Sequence, residues 1–286
     1  MNIKTILLLY NRPNHTAKVL ESLRKNKVNK LIIFLDGAKN RQDILKQRKI
    51  TKILKSYKDL ISKVILRNKN VGLATNMVKS INYTFNKKAD GVIVLEDDCV
   101  LKKNGYNFFK ESLNNFKDEK DIKSICGYRI GNYRDVYKNN SPFILKRFFP
   151  WGWATWKHEW VEYNETLKNL KLQKKIPHIY PKDIKVLFSK LKDKNFNKNI
   201  WSIVWIISHF LKKKYSLYPP FSVIENIGLD GSGINCDISE LFSLNKYNNL
   251  KYPVVNFNKV YYNNIEEEIL NNFMEKNYNL IYPSEI

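Results

Sequence analysis

The sequence predicts an α/β fold with a mostly parallel central sheet, helices on both faces and a C-terminal extension. Two observations carry this. Apolar runs alternate with amphipathic helical stretches over roughly the first 95 residues, the pattern of right-handed crossovers between parallel strands. One run, Val92–Leu95, passes directly into three carboxylates, Glu96, Asp97 and Asp98. In open α/β sheets ligands bind at the carboxyl ends of the strands, so this junction is where the site is expected.

Taken in order, Thr5–Tyr10 reads as a strand closed by Asn11-Arg12-Pro13, and Asn14 caps a helix with Leu20 and Leu23 on one face. Leu31–Leu35 is a second strand ending in Asp36-Gly37, 42–61 a helix, and Val64–Leu66 a third strand. Gly72–Phe85 is a helix with Leu73, Met77, Ile81 and Phe85 four apart. The first three strand ends therefore share one edge with Glu96–Asp98. Gly105–Phe116 follows as a helix and Lys123–Gly127 as a strand, and there the alternation stops. Residues 147–160 hold four of the six tryptophans, 164–198 are lysine-rich, and Ile200–Leu211 is apolar all round, as a buried helix would be. Tyr215–Tyr218 is a short strand, Phe221–Ile224 leads into a glycine-rich loop over 225–233, and Ile265–Met274 is a final helix.

The 286 residues are 43% hydrophobic, which suits a globular chain with a sizeable core. Fifty Lys+Arg against 27 Asp+Glu give +23, a charge that attracts nucleotides, anionic headgroups or nucleic acid. The same abundance of Lys, Asn and Ile also fits an AT-rich genome. A nucleic-acid binder would group its basic residues on one face; here they run along the whole chain, so no nucleic-acid partner is expected. Three scattered cysteines make neither a disulfide framework nor a zinc site and fit a reducing cytoplasm. The opening run reads as a strand and not as a signal peptide, and no apolar stretch reaches the ~20 residues of a membrane span. A soluble, cytoplasmic protein is expected, one whose basic surface can adhere to a membrane face. No GxGxxG follows the first strand and no GxxxxGK[ST] occurs, so phosphates need another partner. Clustered carboxylates suit a divalent cation shared with them.

Four pieces together resemble the nucleotide-sugar glycosyltransferases of the GT-A (Rossmann-like) fold. They are ILLLYNRP at the start, RNKNVGLATNMVKSI over 67–81, VLEDDCVLKKNGYNFF over 94–109, and FPWGWATWKHEW with WSIVWIISHF and NIGLDGSG. The likeness is to bacterial surface-polysaccharide transferases distantly similar to the β-1,2-N-acetylglucosaminyltransferases. It covers residues 2 to 236 and implies a nucleotide-sugar-binding half over 1–126, an acceptor half over 127–240 and an extension over 241–286. It implies transfer from a nucleoside diphosphate sugar, UDP-sugar first among candidates, to a saccharide or glycolipid acceptor of capsule or lipopolysaccharide, with Mn²⁺ or Mg²⁺. Sugar nucleotidyltransfer is the alternative, but NRPNHT lacks the glycines its phosphate loop needs.

By the same resemblance Asp98 is the metal ligand, with Asn235 standing where relatives carry a late histidine ligand. Asp97 lies near the ribose or sugar and Glu96 orients its neighbours. Tyr10, Arg12, Asp36, Asn70, Gly72, Leu73 and Asn76 form the nucleotide pocket. Trp151, Gly152, Trp153 and His158 present flat faces and a polar rim to the acceptor, although a Trp-rich core is the plain alternative. An inverting transferase needs a carboxylate base, yet the place where relatives carry it holds Trp201-Ser202. Asp230, between glycine-rich turns, and then Glu159 are the candidate bases, with Glu225 behind them. A retaining mechanism, needing no such base, stays open.

Overall fold

A computed structural model describes residues 1–130, 140–161, 163, 166, 181–190, 201–230 and 255–276. The alternation expected over the first 95 residues is present: β1 (Ile3–Leu9), α1 (Pro13–Lys25), β2 (Leu31–Leu35), α2 (Arg41–Lys55), β3 (Ile61–Leu66), α3 (Leu73–Asn86) and β4 (Gly91–Glu96). β1 pairs in parallel with both β2 and β4, and β2 with β3. Neighbouring residues on these strands feed opposite faces. Ile6, Leu8, Val92 and Val94 join a core against α3, while Leu7, Leu9, Ile93 and Leu95 join another with Leu20 and Leu23 of α1. A strand buried on both faces has no polar alternation to show, which is why these runs are continuously apolar. The helix expected over 42–61 stops at Lys55, and the chain turns through Ser56 and Tyr57 before β3 begins at Ile61.

The second half departs from alternation. β5 (Cys99–Leu101), α4 (Gly105–Asn115), β6 (Ile122–Cys126), β7 (Phe143–Leu145), β8 (Trp153–Trp156) and α5 (Lys157–Trp160) are followed by α6 (Lys182–Lys190), α7 (Trp201–Lys212), β9 (Tyr215–Tyr218), β10 (Ile224–Asn226), β11 (Tyr261–Tyr262) and α8 (Asn264–Lys276). The nine-stranded order is β11-β7-β9-β6-β8-β4-β1-β2-β3, and β5 pairs separately with β10. β8 is the pivot: it runs antiparallel between β4 and β6, every residue of it buried. The result is the mostly parallel central sheet that the sequence predicts.

Three buried polar groups brace this half. Arg147 pairs with Asp183 of α6, both almost wholly buried. Lys123 and Lys214 flank Glu159. His209 donates from Nδ1 to the Trp205 carbonyl and accepts from Ser124; burial, reinforced by Lys123, pushes its pKa down to about 3, so it is neutral. The described part of the extension is packed rather than free. Glu266 pairs with Arg129, the Lys146 backbone N–H donates to Glu267, and Arg147 donates to Asn271 of α8. Among the described residues no helix is long and apolar enough to cross a membrane.

Candidate functional site

Because β1, β2, β3 and β4 are parallel, the residues that leave them meet at one edge: Tyr10–Arg12, Asp36, Arg67 and Glu96–Asp98. At β2, the Asp36 carboxylate accepts backbone N–H bonds from Gly37 (2.9 Å), Val71 (3.0 Å) and Gly72 (3.1 Å). It thereby staples the entry of α3 to the end of β2 and keeps one of about four acceptor positions for a ligand. Asn70 closes the same turn by donating to the Gly37 carbonyl at 2.8 Å. Gly72 has φ of 79°, the left-handed region that glycine tolerates, and Leu73 opens α3, whose first-turn N–H groups lie at this edge. Gly37 must be glycine for space: a Cβ there would stand 2.1 Å from the Lys69 carbonyl carbon. Gly37→Ala therefore displaces the 69–72 turn, with an expected cost of about 2–3 kcal/mol in denaturant unfolding and weaker nucleotide binding by calorimetry.

Tyr10 and Asn11 are organised by a buried acid that sequence reasoning passed over. Asp43 of α2 accepts from the Tyr10 hydroxyl (2.5 Å), the Asn11 amide (2.7 Å) and the Lys39 N–H (3.0 Å). Burial opposes its charge, but these donors prevail and hold its pKa low. Asn76 faces inward and accepts from Arg67 Nε at 3.1 Å, so it orients a guanidinium at the end of β3. Arg67 is a second site cation missed from sequence; its place directly after a strand at the binding edge was the available signal.

At β4 the three carboxylates meet Arg12. Its Nη2 bridges Asp97 Oδ1 and Asp98 Oδ2, the latter at 2.9 Å. Burial, with the charges of Asp98 and Asp97, pushes Glu96 up to about 8 against the pull of Arg12. Antiparallel pairing of β10 with β5 folds the following loop onto this cluster. Ile227 N–H donates to the Asp98 carbonyl at 2.9 Å, and a Cβ on Gly228 would stand 2.5 Å from Asp98 Oδ2. His15, in the first turn of α1, holds the loop from the other side: Nε2 lies 3.0 Å from the Ile227 carbonyl and 3.2 Å from Asp230 Oδ2. Asp230 is thus brought to the rim of the carboxylate cluster, half of its side chain exposed. No local pattern identifies His15, whose partners are more than 200 residues away.

The acceptor-side expectations divide. Val94 pairs with Trp153, so Trp151 and Gly152 lie at the level of Leu95 and Glu96, at the site edge. Gly152 has φ of 61° and no room for a Cβ against Ile224, and Trp151 stands half-buried between Tyr128 and Phe149. Trp153 is 1% exposed and stacked on Trp201 at 5.1 Å; it is core, because β8 is an interior strand, and its ring is closed to a sugar. His158 and Glu159 are also corrected. Trp156 pairs with Gly91, so the residues after it lie at the opposite edge of the sheet. There Glu159 is buried between two lysines and cannot act as base on an acceptor at Asp98. Asn235 lies outside the described residues.

The donor set suits a divalent cation. Arg12 pairs with Asp97 and Asp98, and burial first, then the charges of those two acids, raises the pKa of Glu96 beside them. Among the described residues no group of three or more His, Cys, Asp and Glu side chains is placed to hold a metal ion by itself. An ion at this edge would therefore need substrate phosphates to complete its ligands beside one or two carboxylates.

The family profile described as "Glycosyl transferase family 2" matches residues 5–193. No curated protein matches the chain significantly. Among solved structures, a mannosyltransferase, PcManGT from Pyrobaculum calidifontis in complex with GDP-Man and Mn²⁺, is similar at 9% identity and TM-score 0.42, over 73% of this chain and 69% of that one. TarS residues 1–349 from S. aureus is similar at 14% identity and TM-score 0.42, over 77% and 60%. A cytidylyltransferase from Leptospira borgpetersenii is similar at 12% identity and TM-score 0.35, over 67% and 73%.

Proposed function

The chain belongs to glycosyl transferase family 2 and is a nucleotide-sugar glycosyltransferase; from that footing we propose that it transfers one sugar, with inversion, to a saccharide or lipid-linked acceptor of a bacterial surface polysaccharide. The observation that carries this reading is the Glu96–Asp97–Asp98 cluster at the shared edge of four parallel strands, beside a helix entry stapled by Asp36. In this reading residues 1–126 are the nucleotide half and 127–240 the acceptor half. The reading takes the cytoplasm as the place of work, with the +23 charge of the chain attracting it to anionic lipid near the acceptor.

In this mechanism the base and ribose lie between Tyr10, Asn70 and Asp36, and the diphosphate lies over the N–H groups that open α3. Asp98 would hold the divalent cation, with Asp97 beside it toward the ribose or sugar. Once bound, such an ion neutralises the leaving diphosphate as a Lewis acid. Trp151 offers the acceptor ring an apolar face. Asp230 takes the proton of the acceptor hydroxyl as its oxygen attacks the anomeric carbon and the bond to the diphosphate breaks. His15 fixes where that carboxylate stands.

Thermal-shift measurement with UDP-, GDP-, CMP- and dTDP-sugars, with and without Mn²⁺, tests the reading. The fitting donor at about 100 times its Kd stabilises the protein by about 2.7 kcal/mol, UDP-sugar being expected, and only with the metal. No stabilisation by any of them would overturn it.

A further inference from the structure

We propose that Arg12 is a built-in counter-cation that competes with the divalent ion for Asp97 and Asp98, so that the ion is captured together with the nucleoside diphosphate and not before it. The proposal rests on the donor reading above and adds an order and a cause. One guanidinium nitrogen of Arg12 bridges both carboxylates. A Cβ on Gly228 would stand 2.9 Å from the other guanidinium nitrogen, Nη1, and 2.5 Å from Asp98 Oδ2, so only a glycine lets the loop lie this close over the pair. Asp98 Oδ2 is therefore flanked by a positive group on one side and by backbone on the other. An ion bound 2.0–2.6 Å from that oxygen would face a guanidinium nitrogen now 2.9 Å from it, and like charges that close repel strongly in a partly buried site.

Two features leave the side chain as the part that moves. The Arg12 carbonyl is fixed by the Thr16 N–H (2.9 Å) and hydroxyl (2.8 Å), so its backbone stays with α1. The loop above is fixed by His15 and by the Ile227–Asp98 bond. A diphosphate arriving at the α3 entry supplies the anion that Arg12 can follow, which frees the carboxylates for the ion. Ion and nucleotide then favour each other reciprocally. The guanidinium also keeps the carboxylates compensated between turnovers.

Calorimetric titration with Mn²⁺ alone, and then with Mn²⁺ in the presence of UDP (or the nucleoside diphosphate that stabilises the protein most), separates the cases. The unaltered protein binds Mn²⁺ at least about tenfold more tightly with the nucleotide than without it. Arg12→Gln raises the nucleotide-free Mn²⁺ affinity about tenfold and shrinks that ratio correspondingly. Arg12→Lys, which keeps a charge but cannot bridge both carboxylates, shifts the same way by about threefold, and it serves if the glutamine variant does not fold. Unchanged or weaker nucleotide-free Mn²⁺ binding in a folded Arg12 variant overturns the counter-cation role while leaving the donor reading standing. Absence of Mn²⁺ and nucleotide binding in the unaltered protein overturns the donor reading itself.

Discussion

Asp98→Asn is expected to lower kcat/KM for sugar transfer by at least about 10³-fold, some 4 kcal/mol of transition-state stabilisation. The substitution is nearly isosteric, so its effect is one of charge. Asp98 is the carboxylate on which Arg12, Gly228 and the Ile227 N–H converge, whereas Asp97 is more deeply buried beneath the same guanidinium. Asparagine leaves Arg12 bonded to Asp97 and leaves one fewer negative oxygen for a cation, so the folded protein survives while the diphosphate loses its partner. Two measurements check this together: transfer assayed with the preferred donor, and the metal-dependent part of the thermal shift, which disappears in the variant. Activity within tenfold of the unaltered protein would remove Asp98 from the proposed role.

Arg147→Met is expected to cost about 3–5 kcal/mol of stability, a large share of the roughly 5–15 kcal/mol that holds a domain of this kind folded. Arg147 and Asp183 have side-chain exposures of 0% and 1%, so removing the cation leaves a buried carboxylate without its partner. The loss spreads, because the Arg147 guanidinium also donates to Asn271 of α8 at 3.3 Å. α6 and α8 therefore lose a shared anchor. Replacing both partners, Arg147→Met with Asp183→Leu, should recover much of the loss, since a packed apolar pair needs no compensation. Denaturant midpoints of the two variants decide it. A single substitution costing less than about 1 kcal/mol is incompatible with a buried pair.

The first half of the chain was legible because its physics is local. Parallel strands buried on both faces give unbroken apolar runs, each helix between them repeats its apolar positions, and the strand ends therefore locate the site edge. β3, read from Val64 and so three residues short, lies at the end of the sheet, where Ser62 and Lys63 meet solvent and interrupt the apolar signal. The second half was not legible because its decisive facts are long-range. Whether Trp153 faces a sugar or the core depends on its register with Val94, 59 positions earlier in the chain. Whether Glu159 is a base depends on Lys123 and Lys214, which are 36 and 55 residues away. A tryptophan-rich segment has the same composition in either role. Asp36 shows a milder form of this: its place after β2 marked it as a site residue, but its three backbone donors come from 37, 71 and 72, and no local pattern announces them.

The way β8 buries its aromatic residues gives the molecule a natural optical reporter. Five of the six tryptophans, at 153, 156, 160, 201 and 205, are at most 4% exposed, so their emission is that of indoles in an apolar solid, blue-shifted and out of reach of iodide. Trp151 alone is partly open, and it stands at the edge where the acceptor is expected. A small red-shifted, quenchable component of the fluorescence therefore belongs to a single residue, and a saccharide laid against that ring would be seen in unlabelled protein as the loss of that component while the rest of the spectrum stays still.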